Sequence, residues 1–124
     1  MNALEKADAL KERTKQFAIR IVAVSRSLPR SRKADVVAKQ LLRSRTVVAA
    51  NYRAVCRARS KAEFISKMSI VVEEADEAVF WLELLGDTRL APAAKLALLL
   101  KEANELVAIC AASLRAAKYN NSAA

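Results

Sequence analysis

The chain has 124 residues, one Gly, two Pro and a formal net charge of +9. That length supports one hydrophobic core rather than two, and 54% apolar residues exclude a disordered chain. No apolar run reaches the ~18 residues of a membrane span, and the absence of His excludes imidazole-based catalysis and His-ligated metal sites.

The first predicted helix carries Ala3, Ala7, Leu10, Thr14, Phe17, Ile21, Val24 and Leu28 at alternating spacings of four and three, the seam of a helical bundle. Pro29 ends it, because a residue before proline avoids helical geometry. Ser31 caps a second helix over about 32–58, whose core face is Ala34, Val37, Leu41, Val48, Tyr52 and Val55. Arg45 falls close to that face, where its stem can run along apolar surface and its head reach water.

The stretch Ser60 to Glu63 reads as a capping box that opens a third helix. Its core residues are Phe64, Met68, Val71, Val72, Ala75, Val79 and Leu82, and Gly86 is its expected stop. Pro92 begins a fourth helix with the seam Leu96, Leu99, Ala103, Leu106, Cys110, Ser113 and Ala117. Helices of about 25 residues joined by short connections predict an all-α fold, an up-down-up-down four-helix bundle. One domain spans residues 1–119, with a frayed tail over 120–124.

Charge is unevenly placed. Residues 26–61 hold eleven basic side chains against the single acid Asp35, whereas 62–88 hold seven acids against Lys67. Such a split points to an anionic partner, to acid–base contact between subunits, or to both. On the second helix Arg32, Lys39, Arg43 and Arg57 lie near one line opposite the core, with Arg53 beside it and Lys61 just beyond. These six are the candidate phosphate-binding residues for RNA or DNA. A merely solvated basic face is the competing reading, weakened by the scarcity of interleaved acids.

The third helix holds a second pattern. Ile70, Trp81 and Leu84 point away from its core face, among Glu73, Glu74 and Glu77, and read as a subunit contact. A wider core stripe would also accommodate them. Four carboxylates within five residues raise the question of a metal, but they crowd one helix and have no His to complete a ferritin-like set. No catalytic, cofactor-binding or metal-ligating residue is therefore assigned. Cys56 and Cys110 lack metal-like spacing and read as core thiols. With no secretory signal in the charged N-terminus, a cytoplasmic location is expected.

Gln40, Leu41, Arg43, Ser44 and Thr46, then Ala50–Asn51, then Ser60, Glu63 and Phe64, then Glu74, Ala75, Glu77, Trp81 and Leu82, form a longer pattern. It resembles the bacterial four-helix-bundle proteins known as 23S rRNA intervening-sequence proteins, over about residues 10–114. The chain departs from the family pattern at Arg45, where a small residue is usual, and at Ala54–Val55, where the family often has Glu followed by a small residue. The resemblance implies a ring-like homopentamer. It also implies kinship with the accessory protein of diversity-generating retroelements, a basic pentamer that works with a reverse transcriptase and its RNA. Gln40, Ser44 and Asn51 share a flank of the second helix that suits subunit contact or bonding to neighbouring helices. Gln40, Asn51, Ile70, Glu74, Glu77, Trp81 and Leu84 thus make up the candidate oligomer interface. The leading expectation is a non-enzymatic oligomeric bundle that binds nucleic acid or a nucleoprotein partner. The alternative is a protein–protein interaction module whose basic face meets an acidic surface.

Overall fold

A computed structural model of the chain describes residues 2–122, with side chains to Tyr119. Among the described residues there are four helices and no strands: α1 (Ala3–Ser27), α2 (Arg32–Cys56), α3 (Lys61–Asp87) and α4 (Ala93–Ser122). The frayed tail expected over 120–124 lies outside the residues whose side chains are described.

Side-chain caps fix three helix starts. Asn2 Oδ1 accepts from Glu5 N–H at 2.8 Å, Ser31 Oγ from Ala34 N–H at 3.2 Å and Ser60 Oγ from Glu63 N–H at 3.0 Å. Each cap is worth about 1 kcal/mol, since it satisfies a backbone donor that the helix cannot. The capping box at Ser60 differs from expectation in one respect. The Glu63 carboxylate reaches back to the N–H of Arg59 at 3.4 Å, one residue earlier than the reciprocal bond of an ideal box. Leu28, before Pro29, is extended at φ −72° and ψ 150° and ends α1 as proline requires.

The end of α3 departs further. Gly86 was the expected stop, yet it lies within the helix, which continues to Asp87. The chain reverses at Arg89, whose φ is +57°. Arg89 N–H donates to Gly86 O at 3.1 Å and Leu90 N–H to Leu85 O at 3.0 Å, the paired bonds of a Schellman motif. An arginine therefore occupies the left-handed position where glycine costs least, and the chain's only glycine sits three residues too early.

Each helix packs along the next one in sequence, and α4 returns to α1 only over a short stretch. The connections span residues 28–31, 57–60 and 88–92, too short for anything but antiparallel neighbours. The main core cluster joins Phe17 and Ile21 of α1, Val37 and Leu41 of α2, Ala78, Leu82 and Leu85 of α3, and Leu96, Leu99 and Leu106 of α4. A second cluster, formed by Val48, Tyr52, Val55, Met68, Val71, Ala75 and Cys110, fills the other end. From α1 only Leu10 packs against it. The seam read from the sequence accounts for this difference: α1 carries Phe17 and Ile21 in its second half but only Ala3 and Ala7 at its start. Ala3 is exposed and Ala7 half-buried, so the first turns of α1 do not close over the core. Phe64 and Val72, expected in the core, are partly buried beside it, whereas Ala78 and Leu85 are fully buried.

The C-terminal turn of α3 yields a direct test. Arg89→Gly relieves a left-handed residue and should raise stability by about 1 kcal/mol. Gly86→Ala should gain a similar amount, about 1 kcal/mol, because the site is helical. Its added Cβ would meet Leu96 Cδ1 at an ordinary 3.5 Å. Urea unfolding of both variants measures these gains, and a loss at position 89 would contradict the assigned turn.

Candidate nucleic-acid interface

The groove between α1 and α2 is basic. About 550 Å³ in volume, it is flanked by Lys11 and Lys15 from α1 and by Arg45 and Arg53 from α2, with one acid, Glu12. Ala18, Ala49 and Ala50 contribute short side chains to its lining. A second groove of about 560 Å³ opens between the end of α2 and the start of α3. It shares Ala50 and Arg53 with the first and adds Arg57 and Arg59, with Glu63 as its one acid. Together they form a channel along the C-terminal half of α2 with six cations on its walls. Of these six, only Lys11 makes an ion pair among the described residues, to Asp8 at 3.9 Å. Arg45 is held by its own helix, Nε donating to Leu42 O at 3.3 Å.

The sequence-predicted cations divide into three sets. Arg53 and Arg57 line the channel. Arg32, Lys39 and Lys61 are exposed on the surface away from it, Lys61 being the first residue of α3. Arg43 differs from expectation, because it is not a free outward cation. Its Nη1 donates to Glu74 Oε1 at 3.1 Å and its Nη2 to Glu77 Oε1 at 2.7 Å, and the Glu74 hydrogen bond is the main cause that raises its already high pKa. Lys11, Lys15, Arg45 and Arg59 were missed. Only Arg45 left a signal in the sequence, as a cation beside an apolar seam; the others needed the packing of α1 on α2 and the turn before α3.

The candidate interface residues also take intramolecular places. Gln40, Asn51, Ile70, Glu74, Glu77, Trp81 and Leu84 are all half-buried, as the single chain stands. Gln40 Oε1 lies 3.4 Å from Arg43 Nε, and Asn51 Nδ2 donates to Val47 O at 2.9 Å. Trp81 does not face outward. It packs against the main core and its indole N–H donates to Glu77 Oε1 at 3.3 Å. The aromatic that does face out is its neighbour Phe80, 54% exposed and edge-on to Trp81 at 5.0 Å between ring centroids. Ser44 is wholly buried, and its hydroxyl has no hydrogen-bond partner among the described residues.

On the opposite side of the bundle, α1 and α4 are tied by Arg13. It bonds Glu102 through Nε at 3.2 Å and Glu105 through Nη2 at 2.9 Å. Below this contact lies the thin start of α1, an apolar recess of about 520 Å³ floored by Tyr52, Phe64 and Met68. Cys110 is buried in the second core cluster beneath, whereas Cys56 is exposed, so only one of the two thiols is the core residue expected. Among the described residues no group of three or more Cys, Asp or Glu could hold a metal ion, and no helix is long and apolar enough to cross a membrane.

Comparison with known proteins matches residues 7–112 to the 23S rRNA-intervening sequence protein family. The chain is also similar to a crystal structure of a protein of unknown function from the S23 ribosomal protein family of Bacteroides thetaiotaomicron. The two share 33% identity and a TM-score of 0.81, over 89% of this chain and 98% of that one. No curated protein matches.

The two thiols and Tyr52 generate a pH prediction. Burial pushes the Cys110 thiol up to about 11 from an ordinary 9.0, with the charge of Arg13 pulling the other way. Burial chiefly, then the nearby Cys56, raises the Tyr52 phenol as well. The native state thus holds protons that the unfolded chain releases. This stability is complete below pH 9.0 and is lost as pH rises through about 11. Unfolding midpoints at a series of alkaline pH values should fall over that window. A thiol reagent near neutral pH should label Cys56 rapidly and Cys110 only on unfolding.

Proposed function

The chain belongs to the 23S rRNA-intervening sequence protein family, and we propose that it acts as a non-enzymatic, homo-oligomeric bundle that grips nucleic acid through the phosphate backbone. One observation carries the reading: the six-cation channel along α2, five of whose cations have no ion-pair partner among the described residues. Cations held on α1, α2 and the turn before α3, around short alanine side chains, form a concave surface into which a sugar–phosphate ridge can seat closely. Arg32, Lys39 and Lys61 extend the same field along the outside of α2 and the start of α3. The nucleic acid is met free or within a nucleoprotein, a reverse transcriptase complex being the example suggested by the resemblance. Nothing in the lining offers a nucleophile with its base, so a binding role fits better than a catalytic one.

Assembly into a ring, five-membered by the same resemblance, forms the second part of the proposal. Phe80 makes an apolar spot on the outer side of α3, among the exposed acids Glu73, Asp76 and Glu83, whereas Leu84 packs against the main core. That surface suits a subunit contact better than Trp81, which is committed to its own core. It also favours the second reading, in which the basic face of one copy meets the acidic α3 of the next and no nucleic acid is involved.

Binding is tested by titrating labelled RNA and DNA across a salt series. Six phosphate contacts predict a slope of about −5 in log K against log salt, or roughly a thousandfold loss between about 50 and 200 mM. Lys15, Arg53 and Arg57 changed together to Glu should abolish binding with helix content unchanged, whereas Lys39→Glu alone should weaken it only slightly. Absence of binding at low salt would eliminate the nucleic-acid reading.

Light scattering tests the assembly. Phe80→Ala should lower the oligomer mass while leaving the thermal midpoint within a few degrees, since the ring is largely exposed in the single chain. An assembly that dissociates in high salt and binds no nucleic acid would support the acid-to-base reading instead.

A further inference from the structure

The lining of the α2 channel is chemically narrow. Every residue along both grooves is Lys, Arg, Glu, Thr or Ala. No aromatic ring, Asn or Gln is among them. Sequence-specific readers use Asn, Gln or Arg forks on base edges, and single-strand binders use aromatic side chains on which splayed bases stack. The channel therefore lacks the amide forks that read adenine and has no platform for stacking, and its Lys and Arg side chains meet phosphate as readily as base edges. The one exposed wall hydroxyl has its proton engaged, Thr46 Oγ1 donating to Leu42 O at 3.0 Å, and is left to act only as an acceptor. Thr14 is buried and donates to Lys11 O at 2.9 Å.

We infer that the ligand class of this channel is duplex nucleic acid, bound without regard to base sequence or sugar, in preference to a single strand. The inference rests on the phosphate-binding reading above and narrows it. Electrostatics favour the duplex from the start. It carries one charge per ~1.7 Å against ~3.4 Å for one of its strands, and each phosphate neutralised releases more counterion, about 0.9 against 0.7 per contact. A single strand ordinarily offsets this deficit by stacking its bases on aromatic rings. With only alanine, threonine and charged side chains along the channel, that compensation is missing, and the charge-density term decides. The cations are also regularly placed. Lys11 and Lys15 lie about one helical turn apart, roughly 6 Å along the axis of α1, and Arg57, the C-cap of α2, follows four residues after Arg53. A stiff duplex ridge meets these side chains without the ordering cost of its own that a flexible strand incurs.

The test uses the full chain and four probes of equal length: unstructured oligo(U), and RNA–RNA, RNA–DNA and DNA–DNA duplexes of mixed sequence. At about 50 mM salt the three duplexes should bind within a few-fold of one another and at least roughly tenfold more tightly than oligo(U). Equal or tighter binding of oligo(U) overturns the duplex inference and leaves the phosphate-binding reading standing. Failure of all four probes overturns both. Strong discrimination among the duplexes overturns the claim of indifference to sugar. A second variant checks the stated cause. Ala50→Tyr places a ring on an exposed helical position shared by both grooves, and it should raise oligo(U) affinity several-fold while leaving duplex affinity equal or lower. If the ring leaves oligo(U) binding unchanged, the missing stacking platform is not what sets the preference.

Discussion

A charge cannot be buried without a partner at tolerable cost, and α2 brings six basic side chains and one acid into the middle of the helix order, packed by α1 on one flank and α3 on the other. Much of the surface chemistry follows from this constraint. The core seam from Ala34 to Val55 uses one face of α2 completely. The cations must then go to the rims of the two helix–helix crevices or to the outer face. Where α3 offers carboxylates at the right height, Arg43 is neutralised by Glu74 and Glu77. Where α1 offers Lys11 and Lys15 against the one acid Glu12, and the α3 start only Glu63, Arg45, Arg53 and Arg57 accumulate without ion-pair partners, and the channel results. The pairing of Arg43 contributes little stability at so exposed a position. Its larger effect is on the field, because it removes the one cation that would have extended the basic surface over the acidic side of the molecule.

The same partition leaves the bundle unevenly closed. The contacts between α2 and α3 and between α3 and α4 run most of their length, whereas α1 meets α4 over a short stretch tied by Arg13 to two glutamates. Alanines at the start of α1 leave Tyr52 and Met68 at the floor of an apolar recess rather than under a full helix-to-helix contact. Phe17 and Ile21 at the other half of α1 do close the core, so the helix is anchored at one end and thinly seated at the other. Because Lys11 and Lys15 lie between those two halves, one wall of the basic channel is carried by a thinly seated helix, and the other by α2, which packs along both α1 and α3.

Periodicity exposed the seams well, because burial of a leucine or valine repeats every three or four residues whatever the neighbours are. The all-α reading, the four helices, the caps at Ser31 and Ser60 and nearly every core position of α2 and α4 were legible for that reason. What a single helix's periodicity cannot convey is which flank meets which neighbour. Trp81 and Phe80 illustrate this: both lie off the seam, but Trp81 packs against the main core, while Phe80 turns to solvent. Arg43 was misjudged for the same reason, because carboxylates about four turns into another helix await it. The stop of α3 failed differently. Glycine is the least costly residue in the left-handed position, yet here the paired turn bonds hold Arg89 in it.

The separation of sign across the molecule bears on how a long polyanion would approach. The outer face of α3 carries Glu73, Asp76, Glu83 and Asp87, with Lys67 the helix's one base after its first residue. A duplex drawn by the net charge would be repelled from that side and steered toward α1 and α2, so orientation is imposed before any contact forms. In an assembly that used the Phe80 face, the acids would be drawn toward the subunit contacts and the channels left outward. Each added copy would then contribute another six-cation channel to the same duplex. Separately weak, sequence-blind contacts would combine through effective concentration into firm binding without any single strong site. A lining of lysine, arginine and alanine is sufficient for that kind of recognition.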